Sequence, residues 1–354
     1  MEDLVLPWGY PLESYPVETA DGAVLRIYRI PYGVRNASRP GPRPAVLLHH
    51  GITLASSCFV VLDPESSMAF YLADAGFDVW MANTRGNTYS RGNRHYTQLE
   101  HGFWEFSMDE LALLDLPSQI DFVLKTSGQK SLGFIGHSQG CTLSVMLLAA
   151  KPEYNKKIWL LMMLGAVTHV QYIAAPFLRQ QVKTRSTQLF ADMGVGEFAM
   201  NRVSNQVANG CKYEGVRSAF CSALINFAFY GSSTAVSPDD LVRVSVTWAS
   251  GVATRNLLHW SQQYYANVSG LRMWDYGTEC AKSPGFERKA FQESCNQAKY
   301  GTTTPPEYDL RQITAPAAIF QGDNDVMATV PDVDRLVREW RSKVVYREMW
   351  NDTA

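Results

Sequence analysis

An excess of charge of either sign is missing from this sequence. The chain has 32 Lys and Arg residues against 34 Asp and Glu residues, so its formal net charge is −2. Nucleic acids and anionic membrane surfaces attract proteins with basic patches, so neither is expected to be the main partner. The six cysteines contain no C-x-x-C spacing, which argues against a zinc site. We therefore expect no metal, no cofactor and no nucleic-acid partner.

Long hydrophobic runs are also missing. The longest apolar run, residues 158–167, is shorter than the ~20 residues of a transmembrane helix and is more typical of a buried parallel strand. The first residues lack the basic start and the apolar stretch of a secretory signal. Sequons for N-glycosylation nevertheless occur at Asn36, Asn267 and Asn351, so the sequence alone leaves the compartment open.

Apolar and aromatic residues are plentiful. Hydrophobic residues make up 46% of the chain, and 9 Trp, 17 Tyr and 16 Phe are many for 354 residues. This composition suits an apolar cavity with a lipid-facing surface, and it equally suits a large core. The length predicts one large domain, or a core with an inserted subdomain.

The strongest motif is the pentapeptide Gly136-His137-Ser138-Gln139-Gly140. An apolar strand precedes it and a helix-forming segment follows it. In serine hydrolases this strand, turn and helix hold the nucleophilic serine in a strained turn, and the glycines leave room for the crossing chain. The motif therefore predicts that Ser138 is a nucleophile. The alternative is a glycine-flanked surface turn whose serine only caps the helix.

A second motif lies where an earlier buried strand ends. Residues 45–50 are mostly apolar and lead into Gly51, Ile52 and a loop of small residues. Such a loop donates a backbone N–H to the oxyanion of a serine hydrolase, and the residue after the nucleophile donates another. We expect Ile52 and Gln139 to be these donors. A plain strand-end turn is the alternative for Ile52.

Strands and helices alternate through the first part of the chain and again at its end. This predicts a doubly wound, mostly parallel α/β sheet, with residues 1–168 and 311–354 as its core. Residues 169–310 lack the alternation and are the expected helical cap, or lid, inserted into that core. The spacing of four cysteines in the cap suits either two local disulfides or four thiols. These are Cys211, Cys221, Cys280 and Cys295.

The acid and the base of a serine triad should follow the nucleophile in that order. Asp323 and Asp325 follow a late apolar strand, and either could be the acid. All seven histidines precede Asp325, so the expected base is missing and the chain as written should be nearly inert as an esterase. His137 and His50 belong to the two motifs above and are badly placed to take the Ser138 proton.

Many stretches together resemble the gastric and lysosomal acid lipases of the α/β-hydrolase superfamily. They are residues 8–11, 21–22, 73–80, 85–88, 103–107, 115–117, 136–140, 256–260 and 322–325. The resemblance implies that Ser138 is the nucleophile, Asp325 the acid, and Ile52 and Gln139 the oxyanion donors. It also implies a cap disulfide between Cys211 and Cys221.

The resemblance implies a lipase that hydrolyses triacylglycerols or sterol esters at a lipid–water interface, outside the cell or in a lysosome or vacuole. Residues 279–303 look like an insertion in the cap. Against the family pattern both ends look clipped, the C-terminal end just short of the catalytic histidine. Two alternatives to a lipid ester hydrolase stay open. One is an inactive lipid-binding pseudolipase or truncated gene-model product, and the other a hydrolase of smaller esters.

Overall fold

The computed structural model describes residues 1–35, 43–198, 243, 250–266, 270–278, 295–340 and 344–351. Several residues singled out above lie outside these ranges. They are Asn36, Cys211, Cys221, Asn267 and Cys280. Asn351 lies in an exposed turn directly after the last described strand.

One central sheet of nine strands organises the described part of the chain. The described residues form eleven strands, nine in this sheet and two in a separate pair. They are β1 (Glu13–Glu18), β2 (Ala23–Ile30), β3 (Ala45–His49), β4 (Asp78–Met81), β5 (Gly92–Asn93), β6 (Leu132–His137), β7 (Ile158–Leu164), β8 (Glu197–Phe198), β9 (Val252–Ala253), β10 (Ala317–Gly322) and β11 (Val344–Trp350). The order across the sheet is β1-β2-β4-β3-β6-β7-β10-β11, with β5 beside β2, and β8 and β9 form a separate pair. In the order across the sheet, every neighbouring pair from β4 onward is parallel, which confirms the predicted mostly parallel sheet.

Helices connect the strands and cover the sheet. They are α1 (Glu2–Val5), α2 (Met68–Asp74), α3 (Met108–Glu110), α4 (Leu116–Ser127), α5 (Gln139–Ala150), α6 (Pro176–Lys183), α7 (Ser186–Asp192), α8 (Thr254–Tyr265), α9 (Asn296–Tyr300) and α10 (Val330–Glu339). Short 3₁₀ helices cover Leu6–Trp8, Ser56–Phe59, His101–Trp104, Pro152–Lys157 and Leu310–Gln312. Among the described residues, no helix is long and apolar enough to cross a membrane.

The central strands β3 and β4 are buried at every position. Successive side chains of a strand point to opposite faces, so a strand covered on both faces reads as one apolar run. Leu47 and Trp80 therefore pack into one core cluster with residues of α4 and α5, whereas Val46 and Val79 pack into the other with residues of α2.

Ser107 and Glu110 have the spacing of a capping box, and the amphipathic sequence after them predicts one helix over residues 107–125, but in the structure this helix is interrupted. Its predicted capping box is present, because Ser107 N–H donates to Glu110 Oε2 at 2.7 Å and the Ser107 side chain caps the helix start. A π-helical stretch, Leu111–Asp115, then separates α3 from α4. It ends at the buried Asp115, whose Oδ1 accepts from Arg85 Nε at 2.8 Å. Hydrophobic periodicity does not reveal such a buried ion pair, and the sequence-based prediction missed the irregular turn.

The carboxyl ends of four parallel strands meet at one edge of the sheet. His49 of β3 pairs with Gly136 of β6, and Leu164 of β7 pairs with both His137 of β6 and Phe320 of β10. The loops that leave these strand ends therefore lie side by side. In parallel α/β sheets this edge is where ligands bind.

Candidate active site

Ser138 stands at the turn between β6 and α5. Its φ of 52° and ψ of −119° lie outside the regions that non-glycine residues ordinarily occupy. Its N–H donates to the Leu164 carbonyl at 2.9 Å, which fixes the turn against β7. The Ser138 side chain makes no capping hydrogen bond, which disfavours the reading of Ser138 as a simple helix cap. The strained turn instead holds a partly exposed hydroxyl at the edge of the sheet.

Two glycines make this turn possible. A Cβ on Gly140 would lie 2.5 Å from the carbonyl oxygen of His49, and a Cβ on Gly136 would lie 2.8 Å from the backbone N of Cys141. Both contacts are with backbone atoms, which cannot swing away as the end of a side chain can. The spacing of the pentapeptide is therefore a steric requirement of the close approach between β3, β6 and α5.

The loop after β3 lies directly beside the nucleophile. A Cβ on Gly51 would lie 3.0 Å from Ser138 Cβ and 3.4 Å from Ser138 Oγ. Ile52 follows Gly51 in this loop, and Gln139 is the first residue of α5. The structure therefore brings the two predicted donor segments next to Ser138.

His50 holds the loop in shape through hydrogen bonds on both ring nitrogens. Nδ1 donates to the Gly51 carbonyl at 2.7 Å, and Nε2 accepts from the Thr84 N–H at 3.3 Å. Burial lowers the pKa of His50 to about 3, so the ring stays neutral and keeps one donor and one acceptor nitrogen. The sequence predicted this loop but not that His50 holds it in shape. The polar segment after β4, which contains Thr84, was the signal that could have indicated a partner for His50.

Asp325 lies on the loop after β10, at the same edge of the sheet. Its Oδ1 accepts the N–H groups of Met327 and Ala328, each at 2.8 Å. Its Oδ2 accepts no hydrogen bond from any residue that the structure describes, and it lies 3.4 Å from the position of a Cβ on Gly165, next to the end of β7. Asp323 differs, since its side chain is exposed and its N–H donates to the Trp350 carbonyl.

All seven histidines lie within the described ranges, and none donates a hydrogen bond to Asp325. His137 is the one whose charge state senses this carboxylate: burial lowers the pKa of His137, and Asp325 opposes the shift by raising it. His169 instead contacts Glu339 at 3.1 Å, and His259 bonds the Arg272 carbonyl at 2.9 Å. The described residues thus place Ser138 and Asp325 at the same edge of the sheet, without an imidazole bonded to Asp325.

The cysteines fall into two groups. Cys58 and Cys141 are thiols, and the buried Cys141 Sγ donates to the Gly136 carbonyl at 3.1 Å. Cys295 is buried and disulfide-bonded, and its partner lies outside the described residues. Within the part of the chain that the structure describes, no three His, Cys, Asp or Glu side chains cluster as metal ligands would.

Two contacts from residues 250–260, within the range predicted to be a cap, were not predicted from the sequence. Trp260 of α8 donates from Nε1 to Gln139 Oε1 at 2.7 Å, although 121 positions separate them along the chain. The Ser250 N–H donates to the Thr53 carbonyl at 2.9 Å. Both join residues 250–260 to the segments on either side of Ser138.

Sequence comparison assigns the class. A profile of the alpha/beta hydrolase fold matches residues 44–348, and a profile of a partial alpha/beta-hydrolase lipase region matches residues 1–63. With the strained serine at its strand-to-helix turn, the chain belongs to the α/β hydrolases. Within that class it belongs to the gastric and lysosomal acid lipase family.

Three curated relatives carry the narrower assignment. Lipase member K of Homo sapiens is 32% identical over 98% of this chain and 83% of its own length. Gastric triacylglycerol lipase of Mus musculus is 33% identical over 99% and 84%. Lysosomal acid lipase/cholesteryl ester hydrolase of Homo sapiens is 32% identical over 99% and 84%.

A solved structure supports the fold alone. E-2-(Acetamidomethylene)succinate hydrolase superposes with a TM-score of 0.51 at 13% identity, covering 97% of this chain and 92% of that one. At such low identity the likeness carries no information about substrate.

Proposed function

We propose that this protein is a carboxylic ester hydrolase of the lipase type, with Ser138 as nucleophile and Asp325 as triad acid. The observation that carries the proposal is the strained turn at Ser138, which lies beside the Gly51 loop on the sheet edge that also carries Asp325. The names of two of these relatives give triacylglycerols and cholesteryl esters as their substrates. We accordingly propose neutral lipid esters as substrates.

The reaction begins with attack of Ser138 Oγ on the ester carbonyl carbon while an imidazole takes the hydroxyl proton. The carbonyl electron pair moves to oxygen, and the N–H groups of Ile52 and Gln139 stabilise this oxyanion. Collapse of the tetrahedral intermediate breaks the bond to the alcohol, which leaves with the imidazolium proton. Water, deprotonated by the same imidazole, then hydrolyses the acyl-enzyme.

We further propose that this imidazole bonds Asp325 Oδ2 and is none of the seven histidines of residues 1–354. Two backbone N–H groups hold Oδ1 of Asp325, which orients Oδ2 for a single further donor. His50 cannot supply the base, because both its ring nitrogens are engaged in holding the loop. A carboxylate in this position fixes the tautomer of the base and stabilises its protonated form.

The wider setting of the protein follows the family. We propose a secreted or lysosomal location, contact with a lipid–water interface through residues 169–310, and a disulfide between Cys280 and Cys295. A disulfide between Cys211 and Cys221 and glycans on Asn36, Asn267 and Asn351 belong to the same proposal. The exposed turn at Asn351 is compatible with a glycan.

The second candidate function is an inactive lipid-binding pseudolipase. The lack of any hydrogen bond from the seven histidines to Asp325 favours it for residues 1–354. In that case the pocket under the cap binds a long-chain ester without cleaving it.

Hydrolysis assays with added imidazole test the two candidates. The protein is given p-nitrophenyl esters of short and long chains, and emulsified triacylglycerol or sterol ester, with and without imidazole. We expect imidazole-dependent hydrolysis of long-chain esters, which S138A lowers by at least about 10³-fold.

The matched control is S144A, which removes a buried hydroxyl on the same helix that donates to the Cys141 carbonyl. S144A should retain the activity. Saturable binding of a long-chain ester analogue, with no hydrolysis even at high imidazole, would support the pseudolipase and overturn the proposed enzyme.

A further inference from the structure

One short segment of the chain contacts both the loop that carries Ile52 and the start of α5 that carries Gln139, the two proposed oxyanion donors. This segment, residues 250–260, contains Ser250, β9 and the first half of α8. It contacts the Ile52 loop at one end, through Ser250, and Gln139 at the other, through Trp260. We call it the brace.

At its second end the brace holds the side chain of the residue after the nucleophile. Gln139 is only 3% exposed, so its amide needs a partner inside the protein. Its Oε1 accepts the indole N–H of Trp260 at 2.7 Å. This bond fixes the first residue of α5, whose backbone N–H is the proposed donor.

At its first end the brace holds the residue after Ile52. Thr53 has a φ of 60°, a left-handed conformation that is strained for a β-branched residue. The Thr53 carbonyl accepts the Ser250 N–H at 2.9 Å, and the buried Ser250 hydroxyl accepts from Thr88 Oγ1 at 3.2 Å. A strained residue persists only where its surroundings hold it, and Ser250 is part of that support.

The brace is itself anchored to the rest of the molecule. The Thr254 N–H donates to the Gly196 carbonyl at 2.9 Å, and Arg255 forms an ion pair of 2.8 Å with Glu105. His259 is fully buried and bonds the Arg272 carbonyl. Because the brace is anchored, it can fix the distance between the Ile52 loop and the start of α5. An unanchored segment would move with them.

We propose that the brace positions the two oxyanion donors relative to Ser138, with Trp260 and Ser250 as positioning residues. The inference rests on the proposed function and adds to it. Neither residue is required to touch the substrate: Trp260 acts through its indole on Gln139, and Ser250 acts through its backbone N–H on Thr53, the residue after Ile52. Because the oxyanion forms only during the reaction, a loosened brace should lower kcat and leave KM nearly unchanged.

Trp260→Phe tests the brace, because it removes the indole N–H and keeps an aromatic ring. Loss of one oxyanion donor typically costs about 10²- to 10³-fold in kcat, and here the donor is only loosened. We expect a decrease of roughly tenfold in kcat for imidazole-supported ester hydrolysis, with KM changed less than about twofold.

Gln139→Met removes the same hydrogen bond from the other side and keeps the backbone N–H. Each single variant should lower kcat by a similar factor, and the double variant should be no worse than either, because both remove one bond. Trp340→Phe is the control and should leave kcat unchanged, because it removes a buried indole N–H for which the structure describes no hydrogen-bond partner.

The outcomes separate the brace from the proposed function. Wild type that hydrolyses esters while W260F and Q139M match it in kcat overturns the brace alone. Additive losses in the double variant, or equal loss in W340F, also overturn it, since they indicate a general packing defect. Wild type without imidazole-dependent activity overturns the proposed function, and the brace with it. Should W260F fail to fold by circular dichroism, the Q139M result decides.

Discussion

The two sides of the candidate site differ in how completely the chain builds them. On the nucleophile side, Ser138 is held by β7, two glycines admit the crossing backbones, and His50 locks the adjacent loop. On the acid side, backbone N–H groups hold one oxygen of Asp325, and no described residue donates to the other. Backbone packing thus holds Ser138 in place, whereas Oδ2 of Asp325 is left as a hydrogen-bond acceptor without a donor among the described residues.

This difference separates two tasks of a serine hydrolase. A strained nucleophile must be held by tightly packed backbone, because its conformation is unfavourable without that support. A triad acid needs one fixed oxygen for orientation and one available oxygen for the imidazole. Asp325 has this asymmetry, and the exposed Asp323 does not.

The largest expected effect comes from Asp325→Asn. The variant keeps an oxygen for the Met327 and Ala328 N–H groups but loses the charge that stabilises an imidazolium. We expect imidazole-supported hydrolysis to fall by about 10²- to 10⁴-fold with the fold unchanged. D323N is the matched control, and an equal loss in both variants would remove Asp325 from the triad. Initial rates at saturating ester give the comparison.

Gly140→Ala should break the nucleophile side through stability. Its Cβ would lie 2.5 Å from the His49 carbonyl oxygen, so β3 and α5 must separate. We expect a loss of about 3 kcal/mol or more in the free energy of unfolding, measured by urea denaturation.

Gly128→Ala is the control for this substitution. Unlike the helical Gly140, Gly128 has a positive φ, of 71°, but a Cβ there meets nothing within 4 Å. Its cost should stay near 1 kcal/mol. Similar losses at both glycines would contradict the steric account of Gly140, because Gly128 lacks the close contact with backbone atoms.

A smaller effect links the Gly51 loop to pH. Burial lowers the pKa of His50 to about 3, far below its ordinary value of about 6.5, so the unfolded chain binds more protons between these values. The neutral ring therefore favours folding above pH 6.5, and that stability is lost as pH falls toward 3. Substitution of His50 should flatten this slope.

His50→Asn should reduce the change in unfolding free energy between pH 7 and pH 4.5 by about 2 to 3 kcal/mol. The comparison of two pH values within each protein removes the cost of the substitution itself. Parallel pH dependences for wild type and H50N would contradict the assignment of His50 as a buried neutral ring.

Local patterns made much of the molecule predictable. The pentapeptide around Ser138 encodes its own turn, because strand, glycines and helix are contiguous. The strands β3 and β4 are buried at every position, and apart from His49 and Asp78 their residues are apolar, so their apolar runs indicated both strands. Their shared edge then follows from parallel pairing, which brings the loops after β3, β6 and β10 together.

Contacts between distant segments were not predictable. The bond between Trp260 and Gln139 spans 121 positions, and neither residue type indicates a specific partner. The π turn before α4 ends at Asp115, which pairs with the buried Arg85, and hydrophobic periodicity predicts neither the turn nor the pair. Residues 169–310 show no regular alternation of strands and helices from which an order could be predicted. The proposed disulfide partner of Cys295 lies outside the described residues.

The most direct test of the central claim is covalent labelling of Ser138. The protein is incubated with an alkyl fluorophosphonate, with and without imidazole, and intact mass and peptide mapping locate the adduct. We predict a single adduct on the peptide that contains Ser138, formed faster with imidazole and absent in S138A. No adduct under either condition, or an adduct that persists in S138A, would contradict the account.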